Sequence, residues 1–279
     1  MVPAYPPPDP EPRIRPPAPT VTVLRDAARE VAYIAGHLAR YPMGLLPSGP
    51  PHRSDLGAAP PVGRQGARPP VVLVHGLADN RSIFAALRRG LARAGFTDVH
   101  TFDHNPVGGD VRGKAELLGR HIERVRERAG VDGVHVIGHS LGGLIARYQV
   151  QCLGGDARVP TVVTLGTPHG GTRTARLLSA HPLVRQMCPD SPLITELARP
   201  APLCRTRFVT FRGDLDPFVI PARSGAIDHP DLDTIDVAVA GAGHVALTAD
   251  RVVVDAMIGR LLGPVQGCSA VEHVTHRAA

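Results

Sequence analysis

The chain of 279 residues has no tryptophan, and aromatic residues make up only 4% of it. That scarcity speaks against the stacking platforms on which single-stranded nucleic acid is held. Lysine is almost absent as well. Lys114 is the only one, so the formal net charge of +6 rests on arginine. The arginines are scattered, with no dense basic run and no nucleic-acid-binding motif, and they read as a solvated surface. Orientation at an anionic membrane is the weaker alternative. Cysteine is sparse, at Cys152, Cys188, Cys204 and Cys268, and no pair has the C-x-x-C spacing of a zinc or redox site. Cys188 and Cys204 flank a Pro-rich segment that a disulfide could close in an oxidising compartment; free thiols are the ordinary alternative. Long apolar runs are missing too. VTVLRDAAREVAYIAGHLARY is interrupted by Arg25, Asp26, Arg29 and Glu30 and falls short of a spanning helix. The first residues lack the basic start and apolar core of a secretory signal. The expected location is therefore cytoplasmic, with peripheral contact to a lipid surface as an option.

Proline and glycine are plentiful, and their distribution divides the chain. Residues 1–69 form a Pro-rich extension with one amphipathic helix, expected over 20–41, and a Pro/Gly-rich linker. Leu24, Ala28, Val31, Ala35 and Leu38 recur at helical spacing and could pack on the main domain or lie on a membrane. Residues 70–262 form the main domain, and 263–279 a C-terminal tail. In the main domain, short continuous apolar runs (VVLVH, VHTF, VHVI, TVVTLG, RFVTFRG, IDVAVAG) alternate with helical patterns. Such strands predict an α/β fold with a mostly parallel central sheet and helices on both faces. Functional groups in these sheets gather at the carboxyl ends of the strands.

One strand end stands out. VHVIGHSLGGL holds Ser140 between Gly138 and Gly142, after a strand and before a helix. This is G-x-S-x-G in the context that gives the pattern meaning, a strained turn that projects the serine above the sheet. A turn serine without chemistry would account for the glycines but does not require Ser at that position. The serine also opens a helix, where the amide of Leu141 favours developing negative charge. A serine nucleophile needs a base and an orienting acid, in this architecture in the order Ser, Asp or Glu, His. Among the later histidines, only His244 lies in a loop directly after a strand, in GAGHVAL. His273 and His276 fall in the tail, and His229 has no strand before it. For the acid, Asp216 and Asp214 compete at the end of RFVTFRGDLDP. Asp216 is preferred because it sits further into the loop, while Asp214 could close the turn beside Gly213. His75, His139 and His169 flank the region in sequence and read as packed or turn-forming histidines.

With these residues in place, Pro70 to Leu262 resembles the α/β-hydrolase superfamily and, within it, bacterial lipases and esterases. The matching pieces are VVLVHGLADN, VHVIGHSLGGLIARY, VTLGTPHGGT, GDLDPFVIP and GAGHVAL. The resemblance implies Ser140 as nucleophile, His244 as general base and Asp216 as its orienting acid. It also implies an oxyanion hole from the backbone N–H groups of Leu77 and Leu141. It further implies a small cap between the fourth and fifth strands, over Arg173–Pro202. There Leu177, Leu178, Leu183, Val184 and Met187 could line an acyl pocket or simply pack the cap down. The expected activity is hydrolysis of carboxylic, lipid-like esters with no metal and no organic cofactor. Acyl transfer and thioester or amide cleavage use the same groups. A non-catalytic binding protein is disfavoured because every expected member is present.

Overall fold

The computed structural model describes residues 20–46, 68–263 and 270–274. The Pro-rich start, most of the linker, Cys268 and His276 lie outside the described residues. Seven strands form one sheet: β1 (Val71–Val74), β2 (Val99–Phe102), β3 (His135–His139), β4 (Thr161–Leu165), β5 (Arg207–Gly213), β6 (Asp233–Val239) and β7 (Ala270–Val274). Their order is β2-β1-β3-β4-β5-β6-β7, and every neighbouring pair is parallel. The helices are α1 (Thr20–Leu45), α2 (Ala85–Arg93), α3 (Val111–Ala129), α4 (Leu141–Cys152), α5 (Pro182–Arg185), α6 (Pro192–Leu197), α7 (Ala246–Ala249) and α8 (Arg251–Leu262).

The pleat sends successive side chains to opposite faces, so one strand feeds two cores. Val72 and Val74 join Val136, Val162 and Phe208 under α3, α4 and the cap. Val71 and Leu73 join Ile137, Val163, Val209 and Phe211 under α2 and α8. Strands buried on both faces read as near-continuous apolar runs, as in β1 and the centres of β3 and β4, whose His135, His139, Thr161 and Thr164 are buried along with them. The order reverses between β1 and β3, because β2 is laid on the outer side of β1 and the chain then returns to its other side. Such a reversal opens a crevice at the carboxyl ends of the two strands.

Three expectations need correction. Ala270–Val274, placed in a C-terminal tail, is the seventh strand, paired with β6 from Ile235↔Ala270 to Val239↔Val274. His273 belongs to that strand. Helix α1 runs to Leu45 through Pro42 rather than ending at Tyr41. It does pack on the domain, but by its polar side: Asp26 is buried, while Leu24, Val31 and Leu38 are 65%, 65% and 61% exposed. The apolar stripe faces outward.

Phe208 lies in the middle of the sheet with no exposed surface. Phe208→Ala is expected to cost about 3–5 kcal/mol, read as a lower urea midpoint at an unchanged m-value.

Candidate active site

Ser140 stands between β3 and α4 with φ 54° and ψ −124°, a backbone conformation that L-residues avoid. The turn is held by Ser140 N–H donating to Leu165 O (2.9 Å) and by Thr167 Oγ1 donating to Ser140 O (2.9 Å). Its glycines are steric requirements. A Cβ on Gly142 would lie 2.1 Å from Val74 O, and one on Gly138 would lie 2.6 Å from the backbone of Gly143. A Cβ on Gly143 would strike Thr167 Oγ1 at 2.0 Å. Helix α4 can therefore pass the ends of β1 and β3 only with these side chains deleted.

His244 follows β6 and Asp216 follows β5, neighbouring strands that bring the two loops together. His244 Nδ1 lies 2.7 Å from Asp216 Oδ2. The other carboxylate oxygen of Asp216 accepts from the amides of Phe218 (2.8 Å) and Val219 (3.3 Å), which fixes the carboxylate plane. Asp214 takes the alternative place expected of it and accepts from Gly241 N–H at 2.6 Å. Beneath the pair runs Gly166 at φ +58°, where a Cβ would come within 3.0 Å of both Asp216 Oδ2 and His244 Nδ1. His139, the residue before Ser140, packs its ring 4.6 Å from that of His244. Phe218, half-exposed, lies with its ring 4.9 Å from the imidazole.

Leu77 lies in the turn after β1. The adjoining Gly76 passes so close to the serine that a Cβ there would stand 2.9 Å from Ser140 Cβ. Leu141 opens α4, where the first amides have no partner within the helix. The structure thus brings Ser140, Asp216, His244, Leu77 and Leu141 to one end of the sheet.

Ala78, Asp79, His37 and His104 had no distinguishing signal in the sequence, whereas His75, His139 and His169 are the flanking histidines noted there. Ala78 adopts φ 50° directly after Leu77, and its N–H donates to Pro106 O (3.1 Å). Asp79 sits between His37 of α1 (3.1 Å) and His139 (3.6 Å). Burial works against its charge, but the adjacent His139 and His37 hold its carboxyl below the usual carboxylate range. His139 is itself pushed down by burial, against the pull of Asp79. His75 stacks on His104 at 4.0 Å; burial lowers both, and His104 reaches about 4 with His75 adding to the effect. His169 is buried against Thr164 Oγ1 (2.9 Å) and is held well below its ordinary value by burial.

The cap is stitched to the Asp216 loop. Arg173 N–H donates to Ile220 O (2.8 Å), Thr172 Oγ1 to Phe218 O (2.8 Å) and Thr174 Oγ1 to Pro217 O (3.2 Å). Leu183, Val184 and Met187 are buried in the core beneath it, so they pack the cap down, whereas Leu177 is 83% exposed. Arg147 of α4 ties the cap from below, donating to Leu197 O (2.8 Å) and His169 O (3.4 Å); burial brings its pKa down to about 10. A cavity of about 700 Å³ on the flank of the cap is lined by Arg112, Arg176, Arg185 and Asp190, among others, and by none of Ser140, Asp216 and His244. Cys188 and Cys204 are free thiols, as is Cys152.

With this geometry in view, the comparisons with known proteins take their place. Residues 69–185 match the family model described as the alpha/beta hydrolase fold. Among solved structures, a Bacillus licheniformis lipase in mature form superposes with a TM-score of 0.60 at 17% identity, over 71% of this chain and 93% of that one. Aspergillus fumigatus lipase B superposes with a TM-score of 0.64 at 17% identity, over 72% of this chain and 54% of that one. The chain has the α/β-hydrolase fold. A triacylglycerol lipase of Pseudarthrobacter phenanthrenivorans is 32% identical over 120 residues, covering 39% of this chain and 35% of that protein. One of Burkholderia plantarii is 32% identical over the same length, covering 39% and 32%. The chain thus spans about a third of the length of the curated relatives it matches.

The buried histidines make stability pH-dependent. Burial lowers His104, His121 and His135 from 6.5 to about 4, so between those values the unfolded chain binds more protons than the folded one. Stability is fully present above pH 6.5 and is lost as pH falls toward 4. Urea midpoints measured from pH 7 to 4.5 should fall, and His135→Gln should flatten the decline.

Proposed function

We propose that the chain is a serine hydrolase that cleaves carboxylic esters of lipid-like substrates through an acyl-enzyme on Ser140. The observation that carries this is the 2.7 Å pairing of His244 with Asp216 beside a serine on a strained strand-to-helix turn. Asp216 holds Nδ1–H and leaves Nε2 of His244 to take the Ser140 proton as Oγ attacks the acyl carbonyl. The tetrahedral oxyanion is received by the amides of Leu77 and Leu141, each such donor being worth about 3–4 kcal/mol in the transition state. His244 returns the proton to the departing alcohol. Water then attacks the acyl-enzyme by the same route, its proton passing through His244 to free Ser140 and release the acid. These steps use only side chains and amides of the chain.

Two further observations support a lipid-like substrate. Phe218, 54% exposed, offers an apolar surface beside His244, and the relatives at 32% identity are triacylglycerol lipases. The outward stripe of α1 (Leu24, Val31, Leu38 and Leu45, each 61–65% exposed) together with Arg25 fits peripheral contact with an anionic lipid surface. No helix among the described residues is long and apolar enough to cross a membrane. The free thiols agree with a reducing compartment such as the cytoplasm.

Ser140→Ala should abolish hydrolysis across a chain-length series of p-nitrophenyl esters while circular dichroism stays unchanged. Turnover retained by the purified variant would sink the assignment. Co-sedimentation with anionic vesicles should weaken in a Leu24→Gln, Val31→Gln, Leu38→Gln variant. Undiminished binding would rule out the stripe as the contact.

A further inference from the structure

Helix α1 grips, from outside the sheet, both turns that carry groups of the site. At its first half, Glu30 spans the loop of His244: Oε1 accepts from Val245 N–H (2.8 Å) and Oε2 from Ala246 N–H (3.0 Å). These two amides directly follow His244 and open α7, which has no side-chain cap of its own. The carboxylate enters because residue 243 is glycine; a Cβ there would lie 2.3 Å from Glu30 Cδ. One turn earlier, Asp26 fills the space over Gly241 in the same way, where a Cβ would lie 2.4 Å from Oδ2. Arg29 (2.9 Å) and Tyr33 (3.1 Å) both donate to Asp250, which in turn caps α8 by accepting from Val252 N–H (2.9 Å). In the second half of α1, Tyr41 donates to Ala78 O (3.0 Å), Asn80 donates to Tyr41 O (3.1 Å), and His37 meets Asp79 (3.1 Å). That turn carries Leu77.

We propose that α1 is a clamp that sets the working position of His244, with Glu30 as the positioning residue. The proposal rests on the reading of His244 as the base. A carboxylate that accepts from two amides forms a charge-assisted, bidentate contact at a helix start, where negative charge is favoured. Glu30 contacts the amides of Val245 and Ala246 and not the His244 ring, so it acts on the imidazole through the backbone of its loop. Without it, two part-buried amides lose their acceptor, and the loop keeps ties only up to His244: Gly241 N–H on Asp214 (2.6 Å), Ala242 O under Leu215 N–H (3.1 Å) and His244 O at 3.3 Å from His139 Nε2. Asp216 and the ring of His139 still hold the imidazole, but the backbone directly after it loses its anchor on α1.

The test compares Glu30→Ala and Glu30→Gln with Arg40→Ala, an exposed change on the same helix. Sites competent for reaction are counted with a fluorophosphonate, so that kcat refers to folded protein only. Glu30→Ala should lower kcat roughly 10²-fold, the scale of an ångström misplacement. KM should stay near wild type, Glu30→Gln should recover part of the rate through its remaining carbonyl oxygen, and Arg40→Ala should match wild type. The ¹⁵N resonances of the His244 ring should shift in Glu30→Ala and not in Arg40→Ala. Wild-type kcat in Glu30→Ala overturns the clamp, as does a loss confined to KM or to the fraction folded. An unmoved His244 resonance overturns it even if the protein proves to cleave no ester, a failure that wild-type and Ser140→Ala assays would expose separately.

Discussion

The approach of α4 to the ends of β1 and β3 is the contact on which the site depends. Gly142 presses against the carbonyl oxygens of Val74 and His75, and Gly143 against Thr167. No β-carbon fits at either place. The helix is thereby driven into the crevice between β1 and β3, and the chain can enter it only by bending sharply at Ser140. The unfavourable φ of 54° is thus imposed by packing on both sides and is not a free choice of the turn. Once α4 is so placed, its N-terminus and the turn at Gly76 both lie next to the serine.

Charge around this volume is arranged with unusual economy of partners. Asp216 has three neighbours and Asp79 two histidines, while Arg147 is buried and donates, among the described residues, to the carbonyl oxygens of Gln151, His169 and Leu197. A buried guanidinium satisfied only by neutral acceptors keeps its charge at the cost of a lowered pKa, and it fixes the directions of several carbonyls at once. The arginine in LIARY is therefore a structural tie between α4 and the cap. Burial lowers the pKa values of His75, His104, His139 and His169 at the strand ends.

Much of this was legible in the sequence because it follows from local pattern. Continuous apolar runs marked the strands buried on both faces. The glycines around Ser140 marked a close approach, and the loops after β5 and β6 offered few candidates for acid and base. What escaped notice depended on pairing at a distance. β7 is a five-residue edge strand, AVEHV, whose polar residues resemble a solvated tail because only one neighbour needs its backbone. The docking face of α1 was misjudged for a related reason. Its apolar stripe was the conspicuous feature, yet what the domain offers at that place is bare amides and glycines, and these call for carboxylates and phenols. Nothing near Glu30 in sequence announces the amides of Val245 and Ala246, 215 and 216 positions away.

That separation has a temporal side. A chain synthesised from its N-terminus makes α1 more than 200 residues before the loop it grips. Ser140 and the turn at Leu77 can be in place while His244 has yet to leave the ribosome, and β7 closes the sheet only after that. Domains commonly fold as units during synthesis. Here the contact of Glu30 with Val245 and Ala246 cannot form until the chain beyond β6 has emerged, so a helix made early docks late.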